Sequence, residues 1–270
     1  MVNQVTPIVN LQPSKLVKFL LLTTLLASST ILGAMSSDKP LRVYAQTPTP
    51  TPSPSVTDIK GDRYATEIGQ AVTYKIMSGF EDNTFRPQAS LTREQMVSMV
   101  VESLKQAPLK KDNLPFDEPP PPKLPTIPTQ VTQNPFPDVD KTRWSAAKIQ
   151  YVRDLGIFRG YADGKFRPTQ AVTRAELVVV LDAAYRYIVE LRGWDGRGQF
   201  EGDKAIDFSD TQKHWARDTI RNMSAACRAA SPLNETGTAF APNRAAQRNY
   251  AAAAIVRTAQ CWSIPMRPPS

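Results

Sequence analysis

Three arginines hold the same place in three similar stretches: Arg93 in "LTREQM", Arg174 in "VTRAEL" and Arg248 in "AQRNYA". In each case the arginine is expected in the first turn of a helix, where a cation faces the positive end of the helix dipole. The neighbouring residues have ordinary structural tasks. Thr92 with Gln95, and Thr173 with Glu176, have the spacing of a capping box, and Leu91/Met96 and Val172/Leu177 fit the flanking hydrophobic staple. In the third stretch the box has decayed to "QRNY" while the cation remains. That leaves the arginines without a local task. Three guanidinium groups at helix starts would suit an anion, their planar fork matching a carboxylate. The alternative is a solvated arginine whose stem covers apolar neighbours.

A second recurring set is aromatic. Trp144 and Trp215, with Tyr64 at the same place, open another helix upstream of each arginine. Each ring could anchor neighbouring repeats in a core or present a face for stacking on a sugar. Asp58, Asp138 and Asp210 precede these rings by five or six residues and read as turn or cap residues. Phe85, Phe166 and Phe240, each followed by x-Pro, read as closing a loop onto the core.

Catalytic constellations are poorly represented. His214 is the sole histidine, which excludes His-pair zinc sites, and there is neither a CxxC nor a G-x-S-x-G. Paired carboxylates distant in the chain are the one enzymatic route left open. A non-catalytic protein without cofactor is the expectation.

The elements that must position these residues follow from an internal repeat. A shift of 81 positions lays "GFEDNTFRPQASLTREQMV" (79–97) on "GYADGKFRPTQAVTRAELV" (160–178) without a gap. A third, eroded copy runs from "FSDTQKHW" (208–215) to "FAPNRAAQRNYAAAAIV" (240–256). Each copy reads as helix, loop, helix. In the second, Trp144, Ala147, Tyr151, Val152 and Leu155 recur at helical spacing, Gly156 supplies a left-handed stop, and the second helix runs from Thr173 to about Leu191. One such unit has too little core to stand alone, so the copies must pack on one another. The chain divides into 1–45, a signal peptide or membrane anchor; 46–55, a Pro-rich spacer; 56–104, repeat one; 105–135, a Pro-rich linker; 136–191, repeat two; and 208–260, a degenerate repeat three. The two Pro-rich stretches are expected to be extended and without a core of their own.

Bulk properties agree with an exported chain. Lys15 and Lys18 precede the apolar run "FLLLTTLLASSTILGAM". Cleavage after Ala45, cleavage after Ala34, and an uncleaved membrane tether through residues 16–35 are open readings. Without residues 1–45 the chain carries 29 basic and 24 acidic residues, a mild preference for acidic partners. There is no Lys/Arg run or basic aromatic stripe, so nucleic acid is not an expected partner. Cys227 and Cys261 fall in the same C-terminal unit and form either a disulfide or two buried thiols.

Taken together, F-x-D-V, the Trp, G-I-x-x-G-Y-x-D-G-x-F-x-P and T-R-A-E resemble the S-layer homology domain, most fully in the second copy. The resemblance implies a mainly all-α fold of three helix-loop-helix repeats packed as a pseudo-threefold spindle. It also implies non-catalytic attachment to peptidoglycan-associated anionic polysaccharide in grooves between repeats, at the cell envelope. Carried over residue by residue, the ligand-facing candidates are Arg174, Arg93, Arg248, Trp144, Trp215, Asp138 and Gly160, with the groove around copy two best matched. The chain departs from the pattern at Tyr64, at Val56 and at "QRNY". A structural alternative is self-association, copy one reaching across its long linker to complete a neighbour's spindle.

Overall fold

The computed structural model describes residues 56–107, 123–192 and 204–263, all within one compact unit, Pro48–Ser270. The expected leader or tether (1–45) and first spacer (46–55) lie outside the described residues.

Each copy contributes a short helix and a longer one: α1 (Ala65–Thr73) and α2 (Arg93–Leu104), α3 (Ala146–Asp154) and α4 (Arg174–Leu191), α5 (Arg217–Ala226) and α6 (Arg248–Ser263), with a 3-10 turn at Leu233–Glu235. Among the described residues the only β pairings are isolated bridges. The start signals act as expected in copies one and two. Thr92 accepts from the Gln95 amide and Thr173 from the Glu176 amide, and both N3 side chains return to the cap amide. The staple residues Leu91, Met96, Val172 and Leu177 are fully buried. Gly156 has φ +70 and stops the turn that follows α3.

The copies are joined cyclically. The three long helices α2, α4 and α6 touch one another pairwise, and each short helix packs on the long helix of the preceding copy: α3 on α2, α5 on α4, α1 on α6. Ile68, Ile149 and Ile220, equivalent positions on the short helices, are all fully buried in these seams. The same cycle appears in the backbone. Val172 N–H donates to the Leu91 carbonyl (2.9 Å), Ala246 N–H to Val172 (2.8 Å) and Leu91 N–H to Ala246 (2.9 Å), a closed ring with one bond per junction.

The F-x-P loops also obey one rule. Asp138 accepts from the amides of Phe166 (2.8 Å) and Arg167 (2.6 Å), Asp58 from Phe85 and Arg86, and Asp210 from Phe240 and Ala241. The residue between Phe and Pro lies in the left-handed region in every copy: Arg86 at φ 56, Arg167 at 59 and Ala241 at 57. A side chain there costs about 1 kcal/mol or more. Paired charge-assisted bonds from the aspartate offset it. The loop is thereby held with Phe85, Phe166 and Phe240 in the core, all fully buried.

Part of the Pro-rich linker departs from a free spacer. Residues 123–135 lack regular structure but pack on the body through Leu124, Ile127 and Val131. Tyr151 on α3 donates to the Pro125 carbonyl (3.1 Å), and Arg153 donates to that of Pro135. Three aliphatic side chains among the prolines supply the apolar surface that holds this stretch down. A disulfide joins Cys227, at the end of α5, to Cys261 on α6, with Cα atoms 5.6 Å apart.

Candidate functional site

The arginines occupy the junctions of the cycle. Arg93 of copy one donates through Nε to the Phe166 carbonyl of copy two (2.7 Å). Arg174 of copy two donates to Phe240 of copy three (2.7 Å) and, through Nη2, to Ser231 (2.8 Å). Arg248 of copy three donates to Phe85 of copy one (2.8 Å) and to Ser78 (2.8 Å). All three are buried, at 3%, 3% and 6% exposure, each with its guanidinium within cation–π distance of the phenylalanine whose carbonyl it binds.

The helix amides beside them are satisfied in the same sense. Arg93 and Glu94 N–H donate to Gln170 and Pro168, Arg174 and Ala175 to Arg244 and Pro242, and Arg248 and Asn249 to Ala89 and Pro87. The first-turn arginine therefore has a structural task that inspection of its own copy could not supply. The opposing end of the helix dipole is met by the next copy's carbonyls.

The aromatics divide. Trp144 (59%) and Trp215 (69%) are among the most exposed large hydrophobic side chains described, so the core-anchor reading fails for both. It holds for Tyr64, at 3% exposure, whose ring lies 6.4 Å from that of Tyr250 and beneath the Arg257 guanidinium.

Among the described residues, concavities lie at all three junctions. One, of about 330 Å³, brings Trp144 of copy two and Ser78–Gly79–Phe80 of copy one together with Arg248 of copy three, with Lys75, Gln95, Glu102 and Lys148 around them. A second, of about 530 Å³, joins Trp215, Arg159–Gly160–Tyr161 and Arg93, with Glu176 and an apolar wall on α4. The third, about 940 Å³, is lined by the disulfide, Ser231, Glu67, Glu235, Arg228 and Arg257. Its charges are largely paired within the chain, Arg257 bridging Glu67 and Glu235 at 2.9 Å each.

Each of the first two grooves thus draws one element from every copy. The structure does not assemble the residues of copy two around a single groove: Trp144 and Arg248 meet in one, Gly160, Arg93 and Trp215 in another, and Arg174 lines neither. Asp138 works beneath the loop as the amide clamp described above. Gly160 has a packing reason, since a Cβ there would stand 2.7 Å from the Phe136 ring and 2.9 Å from the Lys165 carbonyl. Gly79 is equally tight against Val56 and Thr84. Functional-looking residues that sequence reasoning passed over are Lys148, Tyr161 and the Arg257–Glu67–Glu235 network. Tyr161 recurs as Phe80, the one hint available. Among the described residues no cluster of His, Cys, Asp and Glu could hold a metal ion, and no helix is long and apolar enough to cross a membrane.

The described residues thus form a helical ring of repeats closed by buried arginines, with exposed tryptophans over inter-repeat grooves. Residues 57–97 and 135–178 match the S-layer homology domain, and these two regions are S-layer homology repeats. The third copy lies outside the matched regions, yet it fills the third place in the cycle. The chain is 26% identical over 153 residues to cell surface glycoprotein 1 of Acetivibrio thermocellus, covering 55% of this chain and 6% of that protein. It is 30% identical over 123 residues to the cellulosome-anchoring protein of the same organism, covering 46% of this chain and 25% of that one. Exoglucanase XynX, again from Acetivibrio thermocellus, is 28% identical over 213 residues, 77% of this chain and 17% of that protein. The chain thus spans only a minor part of the relatives it matches. Domain family and relatives place the chain outside the cytoplasm, at the cell envelope, and support a cell-envelope anchoring module.

Proposed function

We propose that the chain is a non-catalytic anchoring module that binds peptidoglycan-associated anionic polysaccharide in the grooves between its repeats. The observation that carries this reading is the pairing, in each of two grooves, of an exposed indole with a buried guanidinium contributed by another copy. An exposed Trp face costs solvation and suits stacking on the apolar face of a sugar ring, while the fixed cation suits an acidic substituent. The region shared with an exoglucanase and with an anchoring protein is the repeat region, which favours attachment as its common task.

The test is co-sedimentation of the full chain with peptidoglycan sacculi, before and after chemical removal of the attached polysaccharide. Binding is expected to disappear on stripping and to fall with Trp144→Ala and Trp215→Ala, whose melting temperatures should stay near that of the parent chain. It should also weaken with salt. Equal binding to stripped and intact sacculi would overturn polysaccharide recognition.

A further inference from the structure

The two tryptophan grooves are built on the same plan, and two of the positions at which they differ bear directly on the buried arginine. In the Trp215 groove the third helical residue of copy two is Glu176, whose carboxylate lies 3.4 Å from the Arg93 guanidinium and accepts from the Tyr161 hydroxyl at 2.8 Å. Tyr161 in turn lies under Arg93, its ring centroid 4.3 Å from the guanidinium. Arg93 is thus already paired with an anion of the protein; the other arginine lining this groove, Arg159, is exposed.

In the Trp144 groove the equivalent residues are Gln95 and Phe80, so carboxylate and hydroxyl are both absent. Gln95 still performs the cap, its Oε1 accepting from the Thr92 amide at 3.0 Å. Arg248 is held by the carbonyls of Phe85 and Ser78 and packs over Phe80 and Phe85, but it makes no ion pair with a described residue. Burial, and then the charge of Arg86, bring its pKa down to about 10, with only Asp58 acting in the other direction. Around it stand Lys75 and Lys148. The single carboxylate lining this groove, Glu102, is shared between Lys148 (2.9 Å) and Lys105 (2.7 Å).

At the third junction the arginine is covered by an aromatic ring instead. Tyr250, in the place of Gln95 and Glu176, lies with its ring centroid 3.5 Å from the Arg174 guanidinium, and Arg174 does not line the cavity there.

We propose that the Trp144 groove is the one that takes the acidic substituent of the polysaccharide, and that Gln95 sets this preference by leaving Arg248 without a carboxylate. This rests on the polysaccharide-binding reading above. A carboxylate on the ligand would supply the counter-charge that Glu176 supplies to Arg93.

The experiment is Gln95→Glu in the full chain, with co-sedimentation on intact and stripped sacculi. Glutamate already serves this cap in copy two, so the melting temperature should hold while affinity for intact sacculi falls by about tenfold or more, as for a like charge placed against a bound anion. Lys148→Gln, on the opposite wall, should weaken binding in the same direction. Glu176→Gln, which removes the anion paired with Arg93, should raise affinity for intact sacculi rather than lower it. Parent-like binding by Gln95→Glu, together with loss on Glu176→Gln, would overturn the assignment while the dependence on polysaccharide stands. Binding that survives stripping overturns the underlying reading and this one with it.

Discussion

Replacing Arg174 by alanine separates the two meanings a recurring arginine can have. Its guanidinium is buried, donates to two carbonyls of copy three at 2.7 and 2.8 Å, and lies over Tyr250 with its centroid at 3.5 Å. Truncation leaves the Phe240 and Ser231 carbonyls without these donors, at about 1–3 kcal/mol each where water cannot reach them. The lost cation–π contact adds about 1–2 kcal/mol. Relief from burying a cation that makes no ion pair with a described residue offsets part of this. A net destabilisation of about 3–4 kcal/mol is expected, which for a domain of this size lowers the melting temperature by about 10 °C. Arg174→Lys keeps the charge but cannot fork two carbonyls, and should fall between the two. Differential scanning calorimetry of the three proteins decides the matter. A melting temperature within about 2 °C of the parent for Arg174→Ala would refute the structural role. Loss of sacculus binding in the same variant would return Arg174 to the ligand.

Other perturbations read other links. Gly160→Ala forces a Cβ against the Phe136 ring and the Lys165 carbonyl, and since backbone cannot yield, thermal unfolding should show a loss of about 1–3 kcal/mol. Reduction of Cys227–Cys261, which are 34 residues apart, should lower the denaturant midpoint by the equivalent of about 3–4 kcal/mol on the chain-entropy model, an effect absent from the Cys227→Ala/Cys261→Ala double variant. Burial raises the pKa of Glu94, but hydrogen bonds from Arg143 and Ser145 outweigh it and hold the carboxyl below its ordinary value. Its contribution is therefore present above about pH 4.3 and is lost as pH falls through the lower folded value, so melts from pH 7 to 3 should lose part of their slope in Glu94→Gln.

Those parts of the fold that depend on neighbouring residues were readable in advance. The capping boxes at Thr92 and Thr173 span four residues, the Gly156 stop follows its helix directly, and the isoleucines at 68, 149 and 220 repeat with the copies. The arginines were not readable in the same way. Elimination left them over because their partners stand 66, 73 and 163 positions away, in the adjoining copy. A local inventory of tasks cannot contain a task shared between copies. The aspartates illustrate the same limit: their recurrence was visible, but the amides they bind lie 27 to 31 positions downstream. The aligned aromatics had two fates, because Tyr64 meets Tyr250 and Arg257 at its junction while Trp144 and Trp215 meet open grooves. Sequence alignment gives equivalent positions the same label and carries no information on what the third partner brings.

The hydrogen-bonded ring of Leu91, Val172 and Ala246 has a temporal consequence. Two copies make one junction; only three make all of them, and the copy that completes the cycle is the last to be synthesised. Until α6 exists, Phe85 lacks the arginine that binds its carbonyl and α1 lacks the helix on which it packs. The early copies therefore have little to gain by folding first. The same cyclic dependence couples the stability of each copy to the other two.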